Sequence, residues 1–136
     1  MTQITKNIWQ HELKCKCGKC NVTIQDHELI IEVVQNICDH VAINNGVEKV
    51  RLIISSPARC YEYNRIPVID GGPGSNDESQ HPRCNAMDID IFVNGRRIAP
   101  YEVYVTANEI YPDCFGMGVY DWGLHIDTRR IRARWG

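Results

Sequence analysis

Ser79-Gln-His-Pro-Arg-Cys-Asn-Ala-Met-Asp-Ile-Asp-Ile-Phe-Val-Asn-Gly95 passes from an aperiodic loop into strict alternation. Met87, Ile89, Ile91 and Val93 fall on one face and Asp88, Asp90 and Phe92 on the other, the period of a half-buried strand over Ala86 to Val93. Asn94-Gly95 is a tight-turn signal that returns the chain antiparallel. Upstream, Leu29, Ile30, Val33, Val34, Ile37, Cys38 and Val41 make one apolar stripe at the helical period, with Asp26 as expected N-cap and Asn44-Asn45-Gly46 as stop. Val50 to Ile54 reads as a buried strand, and residues 65–85, with Gly71-Gly72-Pro73-Gly74-Ser75-Asn76-Asp77, as a long loop. Downstream, Pro100 suits the first turn of a second helix that Pro112 stops near Tyr111. Gly116 to Tyr120 and Leu124 to Asp127 read as two more strands, joined through Asp121-Trp122-Gly123. The expectation is one α+β domain over residues 1–136, with two helices packed on a small, mostly antiparallel sheet and residues 1–25 as a cysteine-containing N-terminal segment.

A chain of 136 residues has the length of one domain. With 24% charged and 43% hydrophobic residues its composition is globular, and a net charge of -2 argues against a nucleic-acid partner. The basic run Arg129-Arg-Ile-Arg-Ala-Arg134 is read as a solvated edge. No stretch has the length of a membrane span, and Met-Thr-Gln-Ile-Thr-Lys has no secretory apolar core, so synthesis in the cytoplasm without a signal peptide is expected. Oligomeric state is not legible.

Seven cysteines cannot all pair within one chain. Cys15-Lys-Cys17-Gly-Lys-Cys20 has the spacing of half a structural metal site, or of reduced thiols or a local disulfide. No second half is evident, because Cys38, Cys60, Cys84 and Cys114 are scattered singly.

The chemistry concentrates elsewhere. His81 lies in the loop before the Ala86 strand and Asp88 near that strand's start, so both can face one cleft. His125 and Asp127, two apart on another strand, point to one side, and either can complete a site with His81 and Asp88. Two imidazoles and one carboxylate are the donor set of an open, catalytic zinc site, whereas structural zinc is usually closed by cysteines. Such a site polarises a carbonyl and activates water, with a nearby carboxylate taking the proton; Asp121 and Asp127 are the candidate bases. A lone histidine is more often a surface or satisfied core residue, and His11, His27 and His40 are read so. For Asp88 and Asp90 the plainer reading is a solvated strand face, and for Asp121 a turn.

Ser79-x-His81-x-x-x-x-Ala86-x-Asp88 resembles the Ser-x-His-x-x-Gly-x-Ala-x-Asp signature of the zinc D-Ala-D-Ala carboxypeptidases and related peptidoglycan endopeptidases, which share a fold with the hedgehog signalling domain. Ser55-Ser-Pro-Ala-Arg59-Cys60-Tyr-Glu-Tyr-Asn64 is similar to the family's Ser-Gly-Tyr-Arg-Cys-x-x-x-Asn, and Gly71-Gly72 to its Gly-Gly. Gly116-Met-Gly-Val-Tyr120 with Leu124-His125-Ile-Asp127 is similar to its closing strands, and Cys-x-Cys-Gly and Arg-x-x-Trp to the ends of small phage-type members. The resemblance covers nearly the whole chain. It implies zinc on His81, Asp88 and His125, a substrate carboxylate or developing oxyanion on Arg59, and a substrate contact from Ser79. It also implies hydrolysis of a peptide bond in the peptidoglycan stem or cross-link, in lysis or at a phage tail, acting at the cell wall or periplasm or within a virion.

Three departures stand out. Cys84 replaces the signature's Gly, the loop from Pro73 to Glu78 is longer than usual, and Trp122 fills the position three before His125 where many members carry the catalytic Glu. Two other readings compete: a catalytically silent zinc-binding structural or binding module with the same fold, and a zinc-ribbon interaction protein built on Cys15, Cys17 and Cys20.

Overall fold

The alternation from Ala86 to Val93 becomes the spine of the sheet. In the computed structural model, which describes residues 2–76 and 79–136, this strand (β2, Ala86–Val93) pairs antiparallel with β1 (Arg51–Ser56) on one side and β5 (Gly123–Asp127) on the other. A tight turn with Asn94 and Gly95 both at positive φ leads to the short β3 (Arg96–Arg97). Beyond β5 lie β4 (Gly116–Tyr120) and β6 (Ala133–Trp135), giving the order β1-β2-β5-β4-β6 with β3 beside β2. Only β4 and β6 run parallel, so the α+β class and the mostly antiparallel sheet are as the sequence indicates.

Period two sorts the two faces. Met87, Ile89, Ile91, Met117, Leu124 and Ile126 are fully buried and form one core with the apolar stripe of α1 (Glu28–Asn44) and with Val103 and Ala107 of α3 (Pro100–Ile110). Burying each such side chain favours folding by roughly 1.5–3 kcal/mol. Ile8, Leu13 and Ile24 belong to the same core, which ties the N-terminal segment to the rest. The opposite face carries Asp88, His125 and Asp127, together with Gly116 and Gly118.

Several local expectations are corrected. Helix α1 begins at Glu28 with His27, not Asp26, at the cap position, and Leu29 is half exposed on its first turn. Strand β1 runs two residues past Ile54, and β5 starts at Gly123. Residues 65–85 hold local structure: a short helix α2 (Tyr61–Arg65) leads in, followed by single turns at Val68–Asp70 and His81–Arg83; positions 77 and 78 of the loop lie outside the described residues. The basic run near the C-terminus is a solvated edge only in part, for Arg130 and Arg132 are exposed but Arg134 is not. Ala133–Trp135 adds a strand, and the Arg134 guanidinium donates to the carbonyls of Phe115, Tyr111 and Cys114 and to Asn108 Oδ1, closing the polar groups where α3 ends.

Candidate metal centre

Asp88 and His125 are direct cross-strand partners of β2 and β5, so the pairing register alone sets their side chains beside each other on the polar face. His81 arrives from the turn His81–Arg83. Its Nε2 lies 3.1 Å from Asp88 Oδ1, and His125 Nδ1 lies 2.9 Å from the same oxygen. All three residues are buried, and one ligand atom from each lies within 4.8 Å of the others.

The outer nitrogens decide what the inner ones can do. His81 Nδ1 is 2.9 Å from the Pro57 carbonyl, which can only accept, so that nitrogen carries the proton. His125 Nε2 is 2.7 Å from Asp127 Oδ2 and is likewise held as donor. In the neutral rings, His81 Nε2 and His125 Nδ1 therefore turn lone pairs toward an oxygen that is itself an acceptor. Either those nitrogens take up protons or a cation sits among them. Burial raises the Asp88 pKa, but the bonds with His125 and His81 outweigh it and hold the carboxyl well below the usual carboxylate range. Burial likewise lowers His125, and contacts with Asp127 and Asp88 overcome it, leaving its pKa raised. A buried anion flanked by two basic nitrogens is a ready cation site.

Asp127 does not face the cleft as a proton acceptor. It is fully buried, and besides His125 it accepts from Arg129 Nε at 2.7 Å, Arg129 Nη2 at 2.8 Å and the Arg129 backbone N–H at 3.1 Å. Both carboxylate oxygens are thereby committed, and one of them holds the orientation of the His125 ring. Asp121 sits in the exposed turn between β4 and β5, where its carbonyl accepts from Arg97 Nη2, and its side chain does not line the cleft. Neither expected base lines the cleft. Among the described residues, the only carboxylate lining the cleft is Asp88 itself.

The cleft has a volume of ≈ 460 Å³, and its walls include Arg59, Ser79, His81, Asp88 and His125. Arg59 is buried rather than a surface ion-pair residue: its Nε donates to Ser56 Oγ, its Nη1 to Asn64 Oδ1 and Ser75 Oγ, and its Nη2 faces Asp88 Oδ2 at 3.5 Å. Ser79 Oγ accepts from the His81 backbone N–H at 3.4 Å, holding the turn that carries the histidine.

No family model, curated protein or solved structure matches the chain.

An aromatic wall, which the sequence pattern did not announce, completes the cleft. Tyr120 and Trp122 stack with ring centroids 4.7 Å apart, and Trp135 reaches over β4 to lie 5.4 Å from the His125 ring. It can do so because Gly118 stands opposite His125; a Cβ there would run into the Trp135 indole, and one at Gly116 into Arg129 and the Asp127 carboxylate. The Gly-Met-Gly spacing was the available signal, since two glycines one strand period apart mark a face on which something packs closely. Trp122, at the position expected to hold a Glu, offers a ring to the cleft. A second cluster of metal-binding type joins Cys15, Cys17 and Cys20 to Cys60. No helix among the described residues is long and apolar enough to cross a membrane.

Proposed function

We propose that the protein is a zinc-dependent peptidase that hydrolyses a peptide bond of the peptidoglycan stem or cross-link, with His81, Asp88 and His125 as the metal ligands. The observation that carries this reading is the convergence of three acceptor atoms with both imidazoles pinned from behind, by Pro57 and by Asp127. Tetrahedral zinc with ligands at about 2.0–2.1 Å sets neighbouring ligand atoms roughly 3.3 Å apart. The 2.9 and 3.1 Å separations at Asp88 Oδ1 need only slight opening to reach that. Three ligands of this kind leave a coordination position free, as catalytic sites require. When bound, such an ion polarises a substrate carbonyl and lowers the pKa of water. Arg59 then offers the substrate carboxylate or the developing oxyanion a cation desolvated enough to matter, and Ser79 keeps His81 in place beside it. The motif resemblance supports peptidoglycan as substrate and a phage lytic or tail-associated setting, acting at the cell wall or within a virion. The hedgehog-like fold family rests on the same motifs.

A second reading, a catalytically silent zinc-binding module, is favoured by one observation: among the described residues the cleft has no carboxylate beyond the ligand Asp88. The experiment that separates them is digestion of purified peptidoglycan with zinc-loaded protein, fragments being identified by mass. The peptidase reading expects new peptide termini that disappear with His81→Ala and fall steeply with Arg59→Lys. Stoichiometric zinc with an undigested substrate would establish the silent module instead.

A further inference from the structure

We infer that Cys15, Cys17, Cys20 and Cys60 hold a second metal ion, a closed tetrathiolate site of the structural zinc class, which fastens the N-terminal segment to the chain beside Arg59. The inference does not depend on what the cleft does. Cys60 lies forty positions after Cys20, yet the sulfurs of the four cysteines all lie within 4.8 Å of one another. The sulfur separations are 3.4 Å for Cys17–Cys20 and 3.9 Å for both Cys15–Cys60 and Cys17–Cys60. Four sulfurs around zinc at about 2.3 Å form a tetrahedron with edges of roughly 3.8 Å, whereas a disulfide brings sulfurs to about 2.05 Å. The spacing is that of ligands around an ion.

The backbone is arranged for thiolates. The amide of Lys19 donates to Cys17 Sγ, that of Cys60 to Cys15 Sγ and that of Tyr63 to Cys60 Sγ, each at 3.3 Å. Such donors disperse the negative charge that sulfur carries once bound to metal. The Gly18 backbone at φ 72 turns the chain between Cys17 and Cys20. Leu13 and Ile24, both fully buried, anchor the two arms of the hairpin that carries the first three cysteines, and the Cys15 N–H to Val22 carbonyl bond closes it. Lys16 and Lys19 on that hairpin offset the negative charge left when four thiolates hold a divalent cation. On binding, each thiol gives its proton to solvent as a sulfur–metal bond forms, with no change of oxidation state.

The site's position gives it a consequence. Cys60 is both a proposed ligand and the cap of α2, and its neighbours in sequence and in the helix, Arg59 and Asn64, make the buried guanidinium bond of the cleft. The metal would therefore hold the segment that presents Arg59.

The test uses the full chain, purified reduced and loaded with cobalt. A site of four thiolates gives intense sulfur-to-cobalt charge-transfer bands in the near ultraviolet, which the His81/Asp88/His125 site cannot produce. The expected result is that these bands persist in His81→Ala and vanish in the Cys17→Ser, Cys20→Ser double variant, which in the zinc-loaded form holds one zinc per chain fewer than wild type by elemental analysis. Limited proteolysis after chelation should open the Lys14 to Thr23 hairpin first. Cobalt-loaded wild-type protein without these bands would overturn the inference, whether or not the double variant folds. So would peptide mapping by mass, on a separate preparation purified without reductant, showing the Cys17–Cys20 and Cys15–Cys60 pairs oxidised to disulfides.

Discussion

Asp127→Asn is the substitution whose outcome the geometry constrains most tightly. The native carboxylate accepts four hydrogen bonds: from His125 Nε2, from Arg129 Nε and Nη2, and from the Arg129 amide. An amide presents one acceptor and one donor group, so one side of the network must face donor against donor. If the NH₂ takes the Oδ2 position, His125 Nε2 can no longer donate and the ring favours the tautomer with its proton on Nδ1, which removes the lone pair offered to the metal. If it takes the Oδ1 position, Arg129 Nε and the Arg129 amide lose their partner. Outer-shell carboxylates of this kind are commonly worth about ten- to a hundredfold in metal affinity, or ~1.4–2.7 kcal/mol. Burying a mispaired group without its charge-assisted bonds costs a further ~2–3 kcal/mol of folding stability, a drop of roughly 10 °C in Tm for a domain of this size. The assay is zinc competition against a chromophoric chelator, with thermal melts of the metal-free protein alongside. Asp121→Asn is the control, expected to change neither, because Asp121 is exposed and outside the cleft. Zinc affinity within twofold of wild type in Asp127→Asn, at unchanged Tm, would refute the claim that Asp127 holds His125 in its metal-binding tautomer.

Further expectations concern the frame around the site. Cys84 stands at φ 58, a left-handed conformation costing an L-residue ~1–2 kcal/mol; Cys84→Gly should therefore be at least as stable as wild type in urea, and β-branched Cys84→Val less stable by about 1 kcal/mol or more. Gly118→Ala sets a methyl against the Trp135 indole, and should destabilise by roughly 1–3 kcal/mol while shifting tryptophan emission as the ring leaves His125. Burial pushes the Cys38 thiol from an ordinary 9.0 up to about 12. The unfolded chain then loses this proton at lower pH than the folded one, so the thiol's contribution is complete below pH 9.0 and declines between 9.0 and about 12, by at most ~1.4 kcal/mol per pH unit. Unfolding midpoints at about pH 8 and 10 should accordingly fall less in Cys38→Ala than in wild type.

What the sequence made legible follows from periodicity. The strand Ala86–Val93, the Asn94-Gly95 turn and the Pro100 helix start are set by local alternation and backbone restriction, and each is found where it was expected. The meeting of His81, Asp88 and His125 was expected only from the motif resemblance, since alternation left His125 and Asp127 open; the antiparallel register, which pairs Asp88 with His125, is what brings it about. Cys60 was missed as a companion of the N-terminal thiols, since its approach depends on how the loop after β1 folds back and leaves no local pattern. The role of Asp127 was open for a related reason: alternation gives the face on which a side chain stands, but not that Arg129 would reach back to occupy both its oxygens. Arg134 looked like part of a solvated run because the carbonyls it satisfies lie just past the end of α3, about twenty residues earlier in the chain.

The central claim, that His81, Asp88 and His125 form an open metal site, is tested most directly by diffraction from zinc-soaked crystals at the zinc absorption edge. The predicted result is an anomalous peak bonded to His81 Nε2, the Asp88 carboxylate and His125 Nδ1, with its remaining position facing the cleft beside Arg59. A map without a peak among these three side chains, or with the three pointing apart, would contradict it.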